Sequence, residues 1–294
     1  MNFSQQALNI VIAKESGIIK THDKFWKEFF FINQFDAEKL KDKITDQDTS
    51  REIANRIISN LTDNNVSFVC IADDDFPIIY YRVKNSAKPF LFFYRGDLSL
   101  LKNIEQNVAV IGLINPDEHI KKREIDIVAE LVEKKQVIVS GLAKGCDTIA
   151  HEICVKMKAK TIAILPSPVN DVYPKENSQL ADEIVHNGGL LLSEYYNSSK
   201  NKFESIERLV KRDRLQAMFS KSIIMIAACQ EGQGDSGSKH AMKAAKEYHI
   251  PRYVMFNPLT DQHNPLLGLN KELLNDDCPP KIITKSSIRE ITEI

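Results

Sequence analysis

A glycine-rich turn between a β-branched run and a helical pattern is the clearest candidate for ligand binding in this sequence. The run at 137–139 leads into this turn, and the helical pattern starts near 147. Glycines let the backbone approach a ligand closely, and the amides of a first helical turn face an anion. The turn therefore predicts a phosphate site, with a plain strand-to-helix connection as the alternative. Its candidate residues are Ser140, Gly141, Lys144 and Gly145 for contact, with Asp147 as the helix N-cap or as a carboxylate that orients the loop.

A second glycine-rich turn follows the apolar run at 223–228. Residues 232–237 spell Gly-x-Gly-x-x-Gly between a predicted strand and a predicted helix. A dinucleotide fingerprint also needs an acidic residue about 20 positions later, which binds the ribose. Residues 255–257 include no acidic side chain, so we do not predict an NAD site. Gly237 and Ser238 remain candidates for phosphate contact at a helix N-terminus.

Two more turns follow predicted strands. The turn after 108–111 contains Gly112 and no basic residue before Pro116, so Gly112 is assigned a structural role at the site. The turn at 166–177 contains three prolines, which fix an irregular path. In this turn Tyr173 and Lys175 could touch a base or a phosphate, and Asn177 is placed to cap the next helix.

Positive charge is concentrated in one segment of a nearly neutral chain. The formal net charge is −1, whereas residues 200–246 contain ten Lys and Arg against five Asp and Glu. Aromatic Phe203 and Phe219 flank the cations. Cations follow a nucleic-acid backbone while rings stack on bases, so this segment predicts a groove for single-stranded nucleic acid. A charged helix with its own ion pairs is the alternative. The cations on the helix are Arg208, Lys211, Arg212 and Arg214.

Catalytic and metal-binding motifs are not found in the sequence. It contains no Gly-x-Ser-x-Gly elbow, no His-Glu-x-x-His and no Walker A sequence. The five cysteines include no Cys-x-x-Cys pair, so we expect reduced thiols and no zinc site. We therefore predict no catalytic residue, no metal and no cofactor.

The pattern of apolar residues predicts an α/β protein. Near-continuous apolar strands alternate with amphipathic helices, which is typical of a doubly wound, mostly parallel, Rossmann-like sheet. We predict a small helical N-terminal domain at 1–64, the Rossmann-like domain at 65–284 and a short tail at 285–294. The predicted strands are 108–111, 137–139, 161–165, 189–192, 223–228 and 253–256, and the predicted helices are 117–134, 147–158, 177–187, 205–219 and 238–248.

The N-terminal segment carries an aromatic cluster around Phe25 and Trp26. Spacing of three and four residues favours a small helical core, and an exposed binding patch is the alternative. No basic patch precedes an apolar run, and no apolar stretch has the length of a membrane span. We therefore expect a cytoplasmic protein without a membrane partner.

The order of these motifs resembles the DNA-processing protein A (DprA/Smf) family. The resemblance runs from about Asn65 to Thr284. It includes Asp75-Phe76-Pro77, the 88–97 strand segment, and Val-Ser-Gly-Leu-Ala-Lys-Gly-Cys-Asp at 139–147. It continues through Tyr173-Pro-Lys-Glu-Asn177, Leu192-Ser-Glu194, Arg212-Asp-Arg214 and Ser236-Gly-Ser238.

The resemblance implies a protein that binds single-stranded DNA in a basic pocket, forms a homodimer and loads a RecA-type recombinase during natural transformation. By this resemblance the DNA site consists of Ser140, Gly141, Lys144, Gly145, Lys175, Arg212, Arg214, Gly237 and Ser238.

Three features depart from the family pattern. The usual Gly-Ser-Arg is Gly112-Leu113-Ile114 here, so a phosphate-binding arginine is missing, and the usual Arg-Asn-Arg is Arg212-Asp213-Arg214. We also do not expect the winged-helix module that some members carry, because the predicted domain extends almost to residue 294.

Two functions of other classes remain open. A nucleotide-binding or nucleotide-hydrolysing protein can use the same fold, although the turn at 234–241 lacks the catalytic glutamate of phosphoribohydrolases. A scaffold could bind protein partners through Phe25 and Trp26.

Overall fold

The computed structural model describes residues 3–31, 34–44, 47–79 and 83–293. The strands are β1 (Phe30–Phe31), β2 (Gln34–Phe35), β3 (Ser67–Cys70), β4 (Leu91–Gly96), β5 (Asn107–Ile111), β6 (Val137–Ser140), β7 (Thr161–Leu165), β8 (Leu190–Ser193), β9 (Ser222–Met225), β10 (Arg252–Val254) and β11 (Lys281–Ile282). The helices are α1 (Gln5–Glu15), α2 (His22–Glu28), α3 (Ala37–Lys43), α4 (Gln47–Asp63), α5 (Glu118–Glu133), α6 (Cys146–Lys156), α7 (Ser178–His186), α8 (Lys202–Met218), α9 (Lys239–Glu247), α10 (Gly268–Leu273) and α11 (Lys285–Thr292).

The described residues form a nine-stranded sheet in the order β11-β10-β9-β5-β6-β7-β8-β4-β3. Neighbouring strands from β11 to β8 are parallel, and β4 pairs antiparallel with β8 and β3. The chain extends the sheet in one direction from β5 to β8 and then returns to add β9 on the other side of β5. The order of the strands therefore reverses between β5 and β9, and the predicted mostly parallel α/β fold is confirmed.

Burial explains why the sequence forms this sheet. Every residue of β5 and β7 is buried, as expected for parallel strands covered on both faces. In β4 successive side chains point to opposite faces. Phe92 packs into one core cluster, whereas Leu91 and Phe93 pack into the other.

The described N-terminal helices cover one face of this sheet. Phe25 stacks on Phe90 with ring centroids 3.9 Å apart, and Trp26 Nε1 donates to Lys88 O at 2.9 Å. Both aromatic side chains are buried, so the predicted core role is confirmed and the exposed binding patch is wrong. The division of the chain after residue 64 stays a prediction, since these helices share a core cluster with sheet residues such as Phe68.

The segment at 285–294 contains helix α11. Its Ile288 and Ile291 are buried in the core cluster that also contains α5 and α8 residues. In the described part of the chain, none of the helices has the length and apolarity that crossing a membrane requires.

Candidate nucleic-acid interface

A crevice opens where the loops after β5 and β9 meet, at the point of strand-order reversal. Ligands of open α/β sheets bind at this point. The cavity has a volume of about 330 Å³, and α8 lines one of its walls. Its polar lining includes Asp147, Arg212, Asp213, Gln216, Asp235, Ser238 and His240, and its apolar lining includes Ile111, Ile114, Ile206, Leu209 and Val210.

The loop between β6 and α6 directs its amides toward its own carboxylate. Asp147 Oδ2 accepts hydrogen bonds from Gly141 N at 3.1 Å and Ala143 N at 3.3 Å. The N-cap residue of α6 is Gly145 rather than Asp147. The two hydrogen bonds agree with the alternative interpretation, in which the Asp147 carboxylate orients the loop. The amide of Gly141, which the sequence assigned to a phosphate, is therefore already engaged, as is the amide of Ala143.

The same loop contacts the loop after β5 closely enough to require glycine. A Cβ atom on Gly145 would lie 2.2 Å from Leu113 O, and one on Gly112 would lie 2.5 Å from Cys146 Sγ. Gly145 also has a φ of +73°, which favours glycine. Cys146 N donates to Leu113 O at 2.9 Å. The first amide of α6 therefore also has a partner inside the protein, and the structural role of Gly112 agrees with this packing.

Arg212 lies beneath the glycine loop rather than on the surface. Its Nη1 donates to Ile164 O at 3.0 Å, and its Nε lies 3.0 Å from Asp213 Oδ1. A Cβ atom on Gly141 would lie 1.6 Å from Arg212 Nη1, so the glycine makes room for the guanidinium. The Ser140 hydroxyl is also internal, because it donates to Val110 O at 2.7 Å. Contact of DNA with Arg212 or with the Ser140 hydroxyl stays a prediction. The burial of both groups makes such a contact unfavourable.

Arg214 forms a buried ion pair on a different face of α8. Its Nη1 and Nη2 donate to the two carboxylate oxygens of Glu194 at 2.8 and 2.7 Å, and its Nε donates to Ala87 O at 2.7 Å. His22 Nε2 lies 2.9 Å from Glu194 Oε1, which joins α2 to this pair. Burial alone would raise the pKa of Glu194, but Arg214 and His22 hold that pKa below its usual value. This geometry indicates a structural role for Arg214.

The other two cations of the predicted basic run on α8, Arg208 and Lys211, also have carboxylate partners. Arg208 pairs with Glu204 at 2.6 Å, and Lys211 pairs with Glu207 at 2.7 Å. The Arg208 guanidinium also lies over the Tyr195 ring. The alternative of a charged helix with its own ion pairs is therefore what the structure shows, and the predicted basic groove is not formed by these four side chains.

Asp235, in the turn after β9, connects this turn to the loop after β5 at the mouth of the crevice. Its Oδ2 accepts from Ile114 N at 2.7 Å, and its Oδ1 accepts from Gly237 N at 3.2 Å. Ser238 Oγ donates to Gly112 O at 3.3 Å. The amide and hydroxyl predicted to bind a phosphate are thus engaged by the protein. The sequence reasoning missed Asp235, although its place inside the Gly-x-Gly-x-x-Gly turn was a usable signal.

A second hollow of about 390 Å³ borders the crevice and shares Ile206 and Leu209 with it. Tyr173 lines this hollow with 60% of its surface exposed, and Phe203 projects from the adjacent turn of α8 with 78% exposed. Cations line the same rim: Lys175 pairs with Asp171, and Lys202 stands beside Phe203. Lys144 is exposed nearby and pairs with Glu176 at 2.6 Å.

Asn177 connects the proline-rich loop to the glycine loop. Its Nδ2 donates to Leu142 O and to Thr148 Oγ1, both at 2.8 Å. Asn177 occupies the N-cap position of α7, as predicted, but its side chain makes no cap hydrogen bond to that helix. Its predicted structural place at the site agrees with these contacts, because it fixes the loop that carries Lys144 relative to the loop that carries Lys175.

The crevice itself is rich in carboxylates. Asp147, Asp213 and Asp235 line it, together with the cation Arg212 and with His240, whose pKa is held below its usual value by burial. Burial raises the pKa of Asp213 to about 6 although Arg212 opposes this shift, and burial likewise raises the pKa of Asp147. Among the described residues, no group of three or more His, Cys, Asp or Glu side chains could hold a metal ion.

Comparison with known proteins finds a family model and a relative that match most of this chain. The family model described as DNA recombination-mediator protein A matches residues 67–276. The DNA processing protein DprA of Bacillus subtilis is 27% identical over 207 residues, which are 69% of this chain and 66% of that protein.

Two solved structures resemble the whole or most of the chain. The DprA structure from Streptococcus pneumoniae has a TM-score of 0.72 at 24% identity and covers 99% of this chain and 98% of its own, so it shows the same fold. A Helicobacter pylori DNA processing protein A, described with a single-stranded DNA binding mode, has a TM-score of 0.62 at 28% identity. That match covers 78% of this chain and 94% of the H. pylori chain.

Proposed function

The chain belongs to the DNA recombination-mediator protein A family, and on this basis we propose that it binds single-stranded DNA as a recombination mediator. The observation that carries this proposal is the exposed surface beside the crevice. Two large rings and three lysines lie at the carboxyl edge of the parallel strands, without a covering element in the described structure. We name this surface the stacking rim; its residues are Lys144, Tyr173, Lys175, Lys202 and Phe203.

The stacking rim has the chemistry that unpaired nucleotides need. Rings accept stacked bases of any sequence, and lysines neutralise the phosphates between them. The pairs Lys144–Glu176 and Lys175–Asp171 are exposed. Exposed ion pairs contribute little to stability, so a phosphate can replace the carboxylate partner at small cost. The strand therefore follows the rim, while Gly141 and Arg212 pack beneath the neighbouring loop and Arg214 holds the other face of α8 through Glu194.

A salt series with a labelled oligo-dT strand tests this function. We expect wild-type affinity to fall with salt, because counterions are released from the bound strand. Phe203→Ala should weaken binding about tenfold, as expected for the loss of one stacked base. Lys202→Ala should make the salt slope less steep by roughly 0.7, the value for one lost contact to a single strand.

Matched control variants keep the test specific. Leu259→Ala removes another highly exposed apolar side chain, and Lys285→Ala removes an exposed lysine on α11. Neither residue lines the crevice or the second hollow. Both controls should bind like wild type. Binding that does not depend on salt, or equal loss in Phe203→Ala and Leu259→Ala, would contradict the proposed rim.

We further propose that the protein acts without catalysis in the cytoplasm, as a homodimer that delivers its strand to a RecA-type recombinase. The family membership supports this role. Strand exchange by a RecA-type protein on DNA coated with single-strand-binding protein is the direct assay. Adding this chain should shorten the lag before exchange, and Phe203→Ala should restore the lag.

The homodimer is tested separately by sedimentation. The measured mass should be twice the chain mass, and a monomer would contradict the proposed homodimer.

A further inference from the structure

One face of α8 changes from apolar to polar as it enters the crevice. Ile206, Leu209, Val210, Asp213 and Gln216 follow each other at helical spacing of three and four residues and all line the cavity. The first three give flat apolar contact at the mouth. The last two place a carboxylate and an amide deeper along the same wall.

The inner groups of this face are hydrogen-bond acceptors with unused capacity. Gln216 is only 2% exposed, and its Oε1 has no hydrogen-bond partner among the described residues. A buried acceptor without a partner costs free energy, and a ligand N–H that bonded to it would recover part of that cost. Asp213 uses Oδ1 for Arg212, and its partly exposed carboxylate borders the same space.

A phosphate does not suit this crevice. Three carboxylates line it, and the amides of Gly141, Ala143 and Gly237 already donate to Asp147 or Asp235. The negative charges of these carboxylates repel an anion. A neutral ligand with N–H donors and a flat ring fits the acceptors and the apolar walls.

We propose that the crevice binds a nucleobase that carries an exocyclic amino group, with Asp213 and Gln216 as specificity-determining acceptors. Cytosine and adenine present an amino donor, whereas thymine presents a carbonyl acceptor at the corresponding position. Recognition of a base displaced from its stack by polar edge contacts and apolar walls is established chemistry. For a base within a strand this inference rests on the proposed DNA binding; a free nucleoside offers the same chemistry.

Oligo-dC and oligo-dT of equal length test the inference on the full chain. We expect wild-type protein to bind oligo-dC about tenfold more tightly, the size of one good base contact. In Asp213→Asn and in Gln216→Leu the preference should fall below twofold. Glu207→Gln, on an exposed part of the same helix, should keep the tenfold preference. Equal affinity of wild-type protein for the two strands would overturn the inference and leave DNA binding intact.

Free deoxycytidine and thymidine separate the two possible sources of the base. Calorimetric titration that detects deoxycytidine but not thymidine, together with no binding of either strand, would support the pocket and overturn the proposed DNA binding. Binding of neither nucleoside and neither strand would overturn both. Thermal unfolding of each variant shows whether it is folded, and the wild-type comparison decides the question without any variant.

Discussion

Replacement of Glu194 by glutamine should destabilise the whole protein. The carboxylate is 4% exposed and accepts both terminal nitrogens of Arg214 and the ring nitrogen of His22. Glutamine keeps the size of the side chain but removes its charge and one acceptor. The Arg214 guanidinium would then be buried without a counter-charge.

The expected size of the effect follows from this burial. Breaking a buried ion pair by removing one partner costs about 3–5 kcal/mol. One kcal/mol shifts the Tm of chains with 150–250 residues by about 2–4 °C. We therefore expect the Tm of Glu194→Gln to fall by roughly 10 °C. Arg214→Leu should cost a similar amount, whereas the double variant should cost less than the two single changes together, because it leaves no unpaired charge.

Thermal unfolding followed by circular dichroism is the assay, and Glu207→Gln is the matched control on α8. Its pair with Lys211 is about half exposed, so its loss should cost less than about 0.5 kcal/mol. Arg214→Leu should reduce the folded fraction at high temperature but not the affinity of the folded protein for oligo-dT. An Arg214→Leu variant with wild-type Tm and lost DNA binding would refute the structural role and restore the one predicted from the sequence.

Two further predictions concern the crevice. Gly141→Ala should lower the free energy of unfolding by about 2–4 kcal/mol, and the Tm by several degrees, because its Cβ would displace the Arg212 guanidinium. Gly237→Ala is the control and should be almost neutral, since the nearest atom to its Cβ would lie 3.6 Å away. Equal Tm values for the two variants would contradict the packing. The folded pKa of Asp213 is raised from 3.8 to about 6, so its contribution to stability is fully present below pH 4 and is lost as the pH rises to 6. Wild-type protein should therefore lose roughly 3 kcal/mol relative to Asp213→Asn between pH 4 and pH 7, measured by urea unfolding, and a constant difference would contradict the shift.

The sequence predicts the fold because its signals are local. Apolar runs bounded by glycine or proline mark the central strands, and the predicted strand at 161–165 matches β7 without change. The predicted helix at 117–134 differs from α5 by one residue at each end. The packing of the N-terminal helices cannot be predicted from local signals, because Phe25 and its partner Phe90 are far apart in the sequence and meet only in the folded protein.

The candidate site is harder to predict because charge in a sequence does not reveal its partners. Arg212 and Arg214 look alike as members of a basic run, yet one lies under a glycine loop and the other binds Glu194. Because a helix has about 3.6 residues per turn, neighbouring cations of α8 point to different faces. The partners of Arg214 come from the distant positions 87 and 194. The sequence shows that Phe203 is an aromatic residue near the cations of α8. Its exposure, however, follows only from the position of α8 in the fold.

Two of the three departures that the sequence analysis noted from the family resemblance lie at the same crevice. Ile114 and Asp213, which the resemblance sets against an arginine and an asparagine, both line the cavity. Each change lowers the positive charge there by one, and Asp235 adds a further carboxylate. Over a distance of about 4 Å near a protein surface, one unit charge changes the energy of another by about 4 kcal/mol before screening. In the proposed mode of binding, a backbone phosphate therefore avoids the crevice and binds the lysines of the stacking rim, which leaves the crevice free for a base.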